Sequence, residues 1–191
     1  PAELTLRAHA ATPLGVVEQA LAAERQRLAF EPPRYSKLLA CEAEPTLGGV
    51  FAANLAGSRR VSAGAARDHL LGCRAVNGRG ERFAAGGRVV KNVTGYDLPK
   101  LLAGSWGTLA VLTEVALRVV PAAETECTLT VAVRTADEAV GLMSRALGSP
   151  CDVSCAAFDP MTGAMLRLEG FAASVRVRVE RLRALLAAPD A

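Results

Sequence analysis

The stretch Thr46–Gly57, which reads Thr-Leu-Gly-Gly-Val-Phe-Ala-Ala-Asn-Leu-Ala-Gly, carries no charge and consists mostly of small residues. Its glycines allow the backbone to approach a ligand closely. The small residues after them are typical of a helix that packs against something flat and bulky, and N–H groups at a helix start favour an anion such as phosphate. The alternative is a glycine-rich turn before a buried helix. The stretch by itself favours that alternative, because single motifs often match by chance.

The composition excludes several classes of protein. With 191 residues, the chain is long enough for one large domain or two small ones. Hydrophobic residues make up 51% and charged residues 21%, so we expect a packed core. The small net charge of +3 and the aromatic content of 4% argue against nucleic-acid binding. We expect no transmembrane helix, since no apolar run reaches about 18 residues, and the start of the chain lacks a signal-peptide pattern.

The titratable and sulfur-containing side chains form no catalytic or metal-binding pattern. The five cysteines are irregularly spaced and match no common zinc motif, so we expect reduced thiols in a cytoplasmic protein. His9 and His69 lack metal-ligand spacing, and neither a Gly-x-Ser-x-Gly motif nor a P-loop occurs. We therefore predict no metal site and leave the catalytic residues unassigned.

Before residue 121, the pattern predicts short strands and helices joined by irregular chain. Thr12 is typical of a helix N-cap and Pro13 of a first helical residue, and the helix should run to about Arg27. Asn77-Gly78 predicts a type I′ hairpin turn. Residues 109–120 alternate so well that their odd-numbered members are expected on one face of a strand. Strands and helices are predicted at residues 3–8, 13–27, 69–76, 81–83, 99–103 and 109–120.

After Pro121 the pattern changes to a β-α-β-β-α order. This order resembles most of a ferredoxin-like unit without its last strand, so we expect the chain to stop inside a domain. We place the domain boundary at about residue 121. The predicted elements are strands at residues 127–134, 154–158 and 165–168, and helices at 136–147 and 171–186.

Three glycine-containing segments stand out in the first part of the chain: Pro45–Gly57, Gly64–Gly72 and Lys91–Val111. Residues 58–68 predict irregular chain of small and polar residues, of the kind that wraps a ligand. A single glycine turn is easily explained by packing. Three such segments in one domain predict a backbone wrapped around a large ligand.

The same segments carry a resemblance to a flavoprotein family. Over about residues 1–121 the chain resembles the FAD-binding domain of the vanillyl-alcohol oxidase / p-cresol methylhydroxylase (PCMH) type. Within that family it is most similar to the FAD-binding subunit of bacterial glycolate oxidase. The motifs are Pro45–Gly49 with Asn54 and Gly57, Gly64 with Arg67–Gly72, Lys91–Leu98, and Gly104–Thr113.

The resemblance implies an α+β fold, with a PCMH-type FAD-binding domain at residues 1–121 and a partial ferredoxin-like α/β cap at 122–191. It also implies FAD as cofactor and the oxidation of a 2-hydroxy acid, most simply glycolate to glyoxylate. Electrons would pass to a sister flavin subunit and an iron–sulfur subunit, which could hold a cytoplasmic protein at the inner membrane. Two alternatives stay open: a non-catalytic flavin-binding or assembly subunit, and a flavin oxidase of another hydroxy acid or alcohol.

The matched motifs also imply which residues contact the cofactor. The five residues up to Asn54 would line the pyrophosphate and flavin side. The next four, from Gly57 to Asp68, would follow along the flavin, and the six from Gly104 onward would lie near the cofactor through backbone. Tyr96 is expected to pack near the flavin, or else to be a core hydroxyl, and Leu109 and Val111 could instead be strand core. The cofactor-binding residues implied are Thr46, Leu47, Gly48, Gly49, Asn54, Gly57, Ser58, Gly64, Asp68, Tyr96, Gly104, Ser105, Gly107, Thr108, Leu109 and Val111.

The chain departs from the family pattern in three ways. The family's earlier glycine-rich phosphate loop would lie before Pro1, and the cap would continue beyond Ala191. We therefore expect these 191 residues alone to retain FAD weakly or not at all and to be inactive. The glycine that commonly follows Thr-Leu in the third segment is Ala110 here, a small change that should keep the strand.

Overall fold

A computed structural model describes residues 4–87 and 96–187. Its helices and antiparallel strands confirm the predicted α+β class. The strands are β1 (Thr5–His9), β2 (Gln26–Arg27), β3 (Leu70–Asn77), β4 (Arg82–Gly86), β5 (Ala110–Arg118), β6 (Val120–Pro121), β7 (Thr125–Val131), β8 (Cys155–Asp159) and β9 (Gly163–Gly170). The helices are α1 (Leu14–Ala23), α2 (Leu47–Ala52), α3 (Arg60–Ala63), α4 (Ala66–His69), α5 (Leu98–Leu102), α6 (Ala136–Leu147) and α7 (Ala172–Ala187).

The described residues divide into two compact units. The first comprises the described parts of Pro1–Gly57 and Gly64–Ala122, and the second comprises Ser58–Ala63 with the described part of Ala123–Ala191. The assignment of residues 1–121 to an FAD-binding domain and of 122–191 to a cap stays a prediction. The pattern also predicts a short strand and a turn within residues 89–98, and the part up to residue 95, which includes Lys91, lies outside the described residues.

The first unit is built on an antiparallel sheet with strand order β1-β5-β3-β4, and β2 pairs separately with β6. Helices α1 and α2 bury their apolar side chains against this sheet, and Phe30 and Phe51 meet edge to face with ring centroids 5.7 Å apart. Burial of such side chains is the main stabilising term for a unit of this size. The buried residues of this core are Leu14, Val17, Leu21, Leu28, Phe30, Leu47, Val50, Phe51, Ala66, Leu70, Ala103, Val115, Leu117 and Val119.

The predicted alternation of residues 109–120 is right for only half of the strand. Val115 is fully buried, whereas Val111 is 63% exposed. The pairing of β5 with β3 skips one residue between Glu114 and Leu112, so Thr113 is an extra residue in β5. Such a bulge breaks the alternation, so that odd-numbered residues before it and after it lie on opposite faces of the sheet. Val111 therefore leaves the core.

The start and end of α1 differ from the prediction. Pro13, not Thr12, precedes the first helical residue, and no side chain of the preceding residue caps the helix. Instead the Glu44 carboxylate accepts a hydrogen bond from the Gly15 N–H at 2.6 Å. The helix also ends before the predicted residue, because Arg25 adopts a φ of 53° that a right-handed helix cannot continue.

The hairpin between β3 and β4 is present, but its turn is not type I′. Gly80 has a φ of 79°, and its N–H donates to the Asn77 carbonyl at 3.0 Å, whereas Gly78 has no positive φ. The Asn77 side-chain oxygen accepts from the N–H groups of Arg79 and Glu81 at 2.9 and 3.0 Å. A turn with one left-handed glycine at its end replaces the expected pair of left-handed residues.

The second unit contains a three-stranded antiparallel sheet with order β7-β9-β8, flanked by α6 and α7. The predicted β-α-β-β-α order of this part of the chain is confirmed. Thr135 caps α6, since its hydroxyl accepts a hydrogen bond from the Glu138 N–H at 3.2 Å. The buried residues of this core are Ala146, Cys151, Val153, Leu166, Leu168, Val175, Val179 and Leu182.

Residues 58–68 are not irregular, contrary to the prediction, because they contain α3 and α4. The part of this segment that joins the second unit is held by polar contacts. Arg59 forms an ion pair with Glu169, whose side chain is 5% exposed and also pairs with Arg167 at 2.8 Å. The Ser62 hydroxyl donates to the Ser154 carbonyl at 2.6 Å. These contacts explain why residues 58–63 belong to the second unit, although they are close in sequence to the glycine motifs.

Candidate functional site

The N–H groups at the start of α2 are all engaged within the protein. The N–H groups of Leu47, Gly48, Gly49 and Val50 donate to the Thr12 carbonyl (2.9 Å), the Ala10 carbonyl (2.7 Å), the Thr46 hydroxyl (3.2 Å) and the Thr46 carbonyl (3.0 Å). An anion at a helix start needs free donors of this kind. In this structure the helix start therefore offers none of these four N–H groups to a phosphate, and the phosphate contact stays a prediction.

Gly48 and Gly49 have different surroundings. A Cβ atom on Gly48 would lie 2.6 Å from the Ala10 Cβ and 2.9 Å from the Ala10 carbonyl oxygen, so glycine is required for α2 to pack against the end of β1. A Cβ atom on Gly49 would meet only the Thr46 hydroxyl, at 3.3 Å. Gly49 therefore presents an open side.

That open side lines a cavity of about 360 Å³ in the first unit. The cavity brings together two of the predicted segments, because Thr46, Gly48 and Gly49 meet Gly107 and Val111 there. Among the described residues, every lining side chain is uncharged and most are small. The remaining lining residues, which are not among the implied cofactor contacts, are Ala10, Ala11, Ala52, Trp106, Ala110 and Leu112.

The turn after α5 is fastened to the end of α2. The N–H groups of Gly104 and Trp106 donate to the carbonyls of Phe51 and Ala52 at 3.1 and 2.9 Å. Trp106 has a φ of 55° and is 75% exposed, and Gly107 has a φ of 74° with no atom within 4 Å of where its Cβ would lie. The turn thus carries a large exposed aromatic side chain to the cavity.

Asn54 and Gly57 hold the chain that leaves α2. Asn54 has a φ of 51°, and its side-chain oxygen accepts a hydrogen bond from the Arg67 N–H at 2.8 Å. A Cβ atom on Gly57 would lie 2.4 Å from the Glu31 carbonyl oxygen, so only glycine allows this approach. Neither residue lines the cavity, and both have structural reasons to be what they are.

Gly64 lies in the turn before α4, and the Asp68 side chain packs back against this turn. One Asp68 carboxylate oxygen accepts a hydrogen bond from the Ala65 N–H at 2.8 Å. Gly64 has a φ of 82°, and its Cβ would lie 2.7 Å from that same oxygen. The next residue, His69, is 1% exposed and packs against Phe30 with ring centroids 5.3 Å apart. This segment is a cap for α4 and part of the core.

Several other predicted residues also lie away from the cavity lining. Leu47 is fully buried in the core, Tyr96 is 92% exposed, and Leu109 is 50% exposed. Tyr96 is therefore not a core hydroxyl, and Leu109 is not strand core. Ser58 is exposed and belongs to the second unit. Ser105 accepts hydrogen bonds from the N–H and the hydroxyl of Thr108 at 3.0 and 2.6 Å, which closes the turn.

Among the described residues, the titratable side chains supply neither a nucleophile nor a set of metal ligands to the cavity. Burial raises the pKa of Cys73 to about 11, so its thiol is neutral at pH 7. Within residues 4–87 and 96–187, no group of three His, Cys, Asp or Glu side chains is placed to bind a metal. No helix in the same ranges has the length and apolar character needed to cross a bilayer.

Comparison with known proteins places these features in context, although no family model matches the chain. Glycolate oxidase subunit GlcE of Escherichia coli is 46% identical over 121 residues, covering 63% of this chain and 33% of GlcE. Glycolate oxidase subunit GlcD of Bacillus subtilis is 37% identical over 99 residues (52% and 21%). An uncharacterized FAD-linked oxidoreductase of Mycobacterium tuberculosis is 45% identical over 80 residues (42% and 17%). The chain is thus similar in sequence to parts of two glycolate oxidase subunits and of an FAD-linked oxidoreductase.

This similarity confirms the predicted resemblance to the FAD-binding subunit of bacterial glycolate oxidase. The chain spans about a third or less of the length of these relatives. Other relatives are named D-lactate dehydrogenase and D-2-hydroxyglutarate dehydrogenase. A solved structure of alkyldihydroxyacetonephosphate synthase matches with a TM-score of 0.75 and 17% identity, over 97% of this chain and 38% of that one. That likeness concerns the fold alone, and it agrees with the predicted fold class.

Proposed function

We propose that this chain forms part of an FAD-dependent oxidoreductase that oxidises a 2-hydroxy acid, most simply glycolate to glyoxylate. One observation carries the proposal. The motifs at residues 46–49 and 107–111, which are far apart in sequence, meet at one cavity. They do so in a chain that is 46% identical over 121 residues to a glycolate oxidase subunit.

The residues of the cavity fit part of an FAD molecule. Its volume of about 360 Å³ lies within the usual range for ligand pockets. Gly49 and Gly107 leave space that a side chain would fill, so a ligand can contact the backbone there. The uncharged lining suits a neutral, planar part of the cofactor better than its pyrophosphate.

FAD, when bound, supplies the redox chemistry by accepting a hydride from the α-carbon of the hydroxy acid. The chain's own residues hold and orient it. Gly49 and Gly107 allow close backbone approach, while Val111 and Trp106 supply apolar surface that excludes water. Asn54 acts at a distance, by fixing the end of α2 through its hydrogen bond with the Arg67 N–H.

The other predicted positions are proposed to act through the loops that they hold. Gly57 and Gly64 permit close turns, and Asp68 caps α4. Ser105 and Thr108 close the turn that presents Gly107. Leu47 anchors α2 in the core, and Gly104 ties the turn to α2.

Ser58, Tyr96 and Leu109 are exposed. We propose that they contact the cofactor or a segment of protein that covers them.

We further propose that electrons leave through a sister flavin subunit and an iron–sulfur subunit, in the cytoplasm or at the inner membrane through those partners. The similarity of this chain to two different subunits of glycolate oxidase supports a multisubunit enzyme. A second candidate function is a non-catalytic flavin-binding or assembly subunit. It is favoured by the lack of an assigned catalytic base among the residues that line the cavity.

The proposal is tested by the visible spectrum of the full-length protein that contains these residues, loaded with FAD, before and after anaerobic addition of glycolate, D-lactate or D-2-hydroxyglutarate. Bleaching by one of them identifies the enzyme and its substrate. Bound flavin that none of them bleaches supports the assembly subunit. Absence of FAD binding at any concentration contradicts the cofactor assignment.

A further inference from the structure

We propose that Trp106 is a stacking residue, which binds a flat heteroaromatic ring of the cofactor in the cavity beside α2. The ring is either the isoalloxazine or the adenine of FAD, so the inference rests on the proposed function and adds to it. Nothing in the glycine motifs themselves points to this side chain. Its exposure, its backbone and the chemistry of the cavity carry the assignment.

Trp106 is unusually exposed for its type. It is the single tryptophan of the chain, and 75% of its surface is open to solvent, although tryptophan is normally well buried. It lines the same cavity as Gly49 and Gly107. A large aromatic surface beside two positions that lack side chains provides a flat wall and space in front of it.

The backbone holds this side chain in place at a cost. Trp106 has a φ of 55°, a left-handed conformation that is uncommon for a bulky residue. Its N–H donates to the Ala52 carbonyl at 2.9 Å, and the Gly104 N–H donates to the Phe51 carbonyl at 3.1 Å. The end of α2 thus imposes the turn. Strained residues that the surroundings hold in this way are concentrated at ligand sites.

The chemistry of the cavity selects a ring over a phosphate. No side chain among the described residues that line the cavity carries a charge, and the N–H groups at the start of α2 are already engaged. A phosphate would therefore lose its hydration without gaining donors. A planar heteroaromatic ring instead gains dispersion and stacking with an indole, which offers the largest aromatic face among side chains.

Two measurements on the full 191-residue chain test the inference. The first uses Trp106 itself, because its fluorescence reports on one site only. Quenching by acrylamide should be strong in the free protein and weaker when FAD is bound. FMN and AMP are then added separately. Protection by FMN identifies the isoalloxazine as the stacked ring, and protection by AMP identifies the adenine.

The second measurement compares FAD affinity by equilibrium dialysis in the variants W106F and W106L, after circular dichroism has shown that they fold. W106L should bind FAD about 5- to 100-fold more weakly, which is the range for loss of one stacking contact. W106F keeps an aromatic face and should stay within about threefold of the parent protein. The control is F171L, which removes an aromatic side chain that is 77% exposed in the second unit and should leave affinity unchanged.

The outcomes separate this inference from the proposed function. If FAD binds, but W106L binds it as tightly as the parent and acrylamide still reaches Trp106 in the complex, the stacking role is wrong and the flavoprotein assignment stands. If the 191-residue parent chain binds none of FAD, FMN and AMP, the stacking role is wrong, whereas the flavoprotein assignment is judged separately on the full-length protein. If W106L does not fold, the acrylamide measurement on the parent protein decides.

Discussion

The segments at residues 46–49 and 64–68 carry similar signals in the sequence and have opposite roles in the structure. Both combine glycine with other residues at the start of a short helix. The first leaves Gly49 open to a cavity, whereas in the second the Asp68 carboxylate fills the space beside Gly64. The comparison teaches that a glycine motif indicates close approach, but not whether a ligand or the protein itself makes that approach.

The largest effect on stability is expected for Gly48→Ala. This substitution tests whether the protein itself fills the space beside one glycine of the first segment. Its Cβ would lie 2.6 and 2.9 Å from two atoms of Ala10, one of them a backbone oxygen that cannot move freely. We expect a loss of about 2–3 kcal/mol in the free energy of unfolding. Urea denaturation measures it, with Gly78→Ala as control, since no atom lies within 4 Å of the Cβ position there. Equal stability of the two variants would contradict the packing role of Gly48.

A smaller effect is expected for Asp68→Ala in the second segment. The substitution removes the acceptor for the Ala65 N–H and should cost about 1 kcal/mol of stability, as loss of a helix cap does. FAD affinity should change little, because Asp68 does not line the cavity. Thermal denaturation and equilibrium dialysis on the same samples separate the two effects. A selective loss of FAD binding without destabilisation would place Asp68 at the cofactor and end the contrast between the segments.

The smallest effect on stability is expected for Gly49→Ala, the neighbour of Gly48. Its Cβ meets only the Thr46 hydroxyl, and alanine is favoured over glycine in a helix, so we expect a change within about 0.5 kcal/mol. FAD affinity should nevertheless fall, because the new methyl group occupies the cavity. Dialysis and urea denaturation report the two quantities. Unaltered FAD affinity in a stable Gly49→Ala protein would mean that the cavity is not the cofactor site.

Much of the fold was predictable because local pattern and packing agree. The second unit follows its hydrophobic periodicity closely, and α6 has the predicted bounds. In the first unit the hairpin was predictable from Asn77, although the turn type depends on which glycine takes the left-handed conformation. The group that caps α1 was not predictable. It is the Glu44 carboxylate, which accepts a hydrogen bond from the Gly15 N–H and comes from a loop distant in sequence.

The candidate site was predictable only in part. The motifs indicated residues 46–49 and the turn around Gly107, and these meet in one cavity. The resemblance to the flavoprotein family implies Ser58 as a contact at the same site. The structure places it in the second unit, where Arg59 pairs with Glu169. No local pattern reveals an ion pair between residues 110 positions apart.

The sequence by itself determined the α+β class, the order of elements in the second unit and the resemblance to FAD-linked oxidoreductases, because these depend on periodicity and on short motifs. Tertiary structure alone decided which glycine is open and which is closed, since that depends on atoms brought from elsewhere in the chain. It also decided that the extra residue Thr113 turns Val111 out of the core, and that the end of α2 holds Trp106 at the cavity. Such contacts arise only when separate segments pack together.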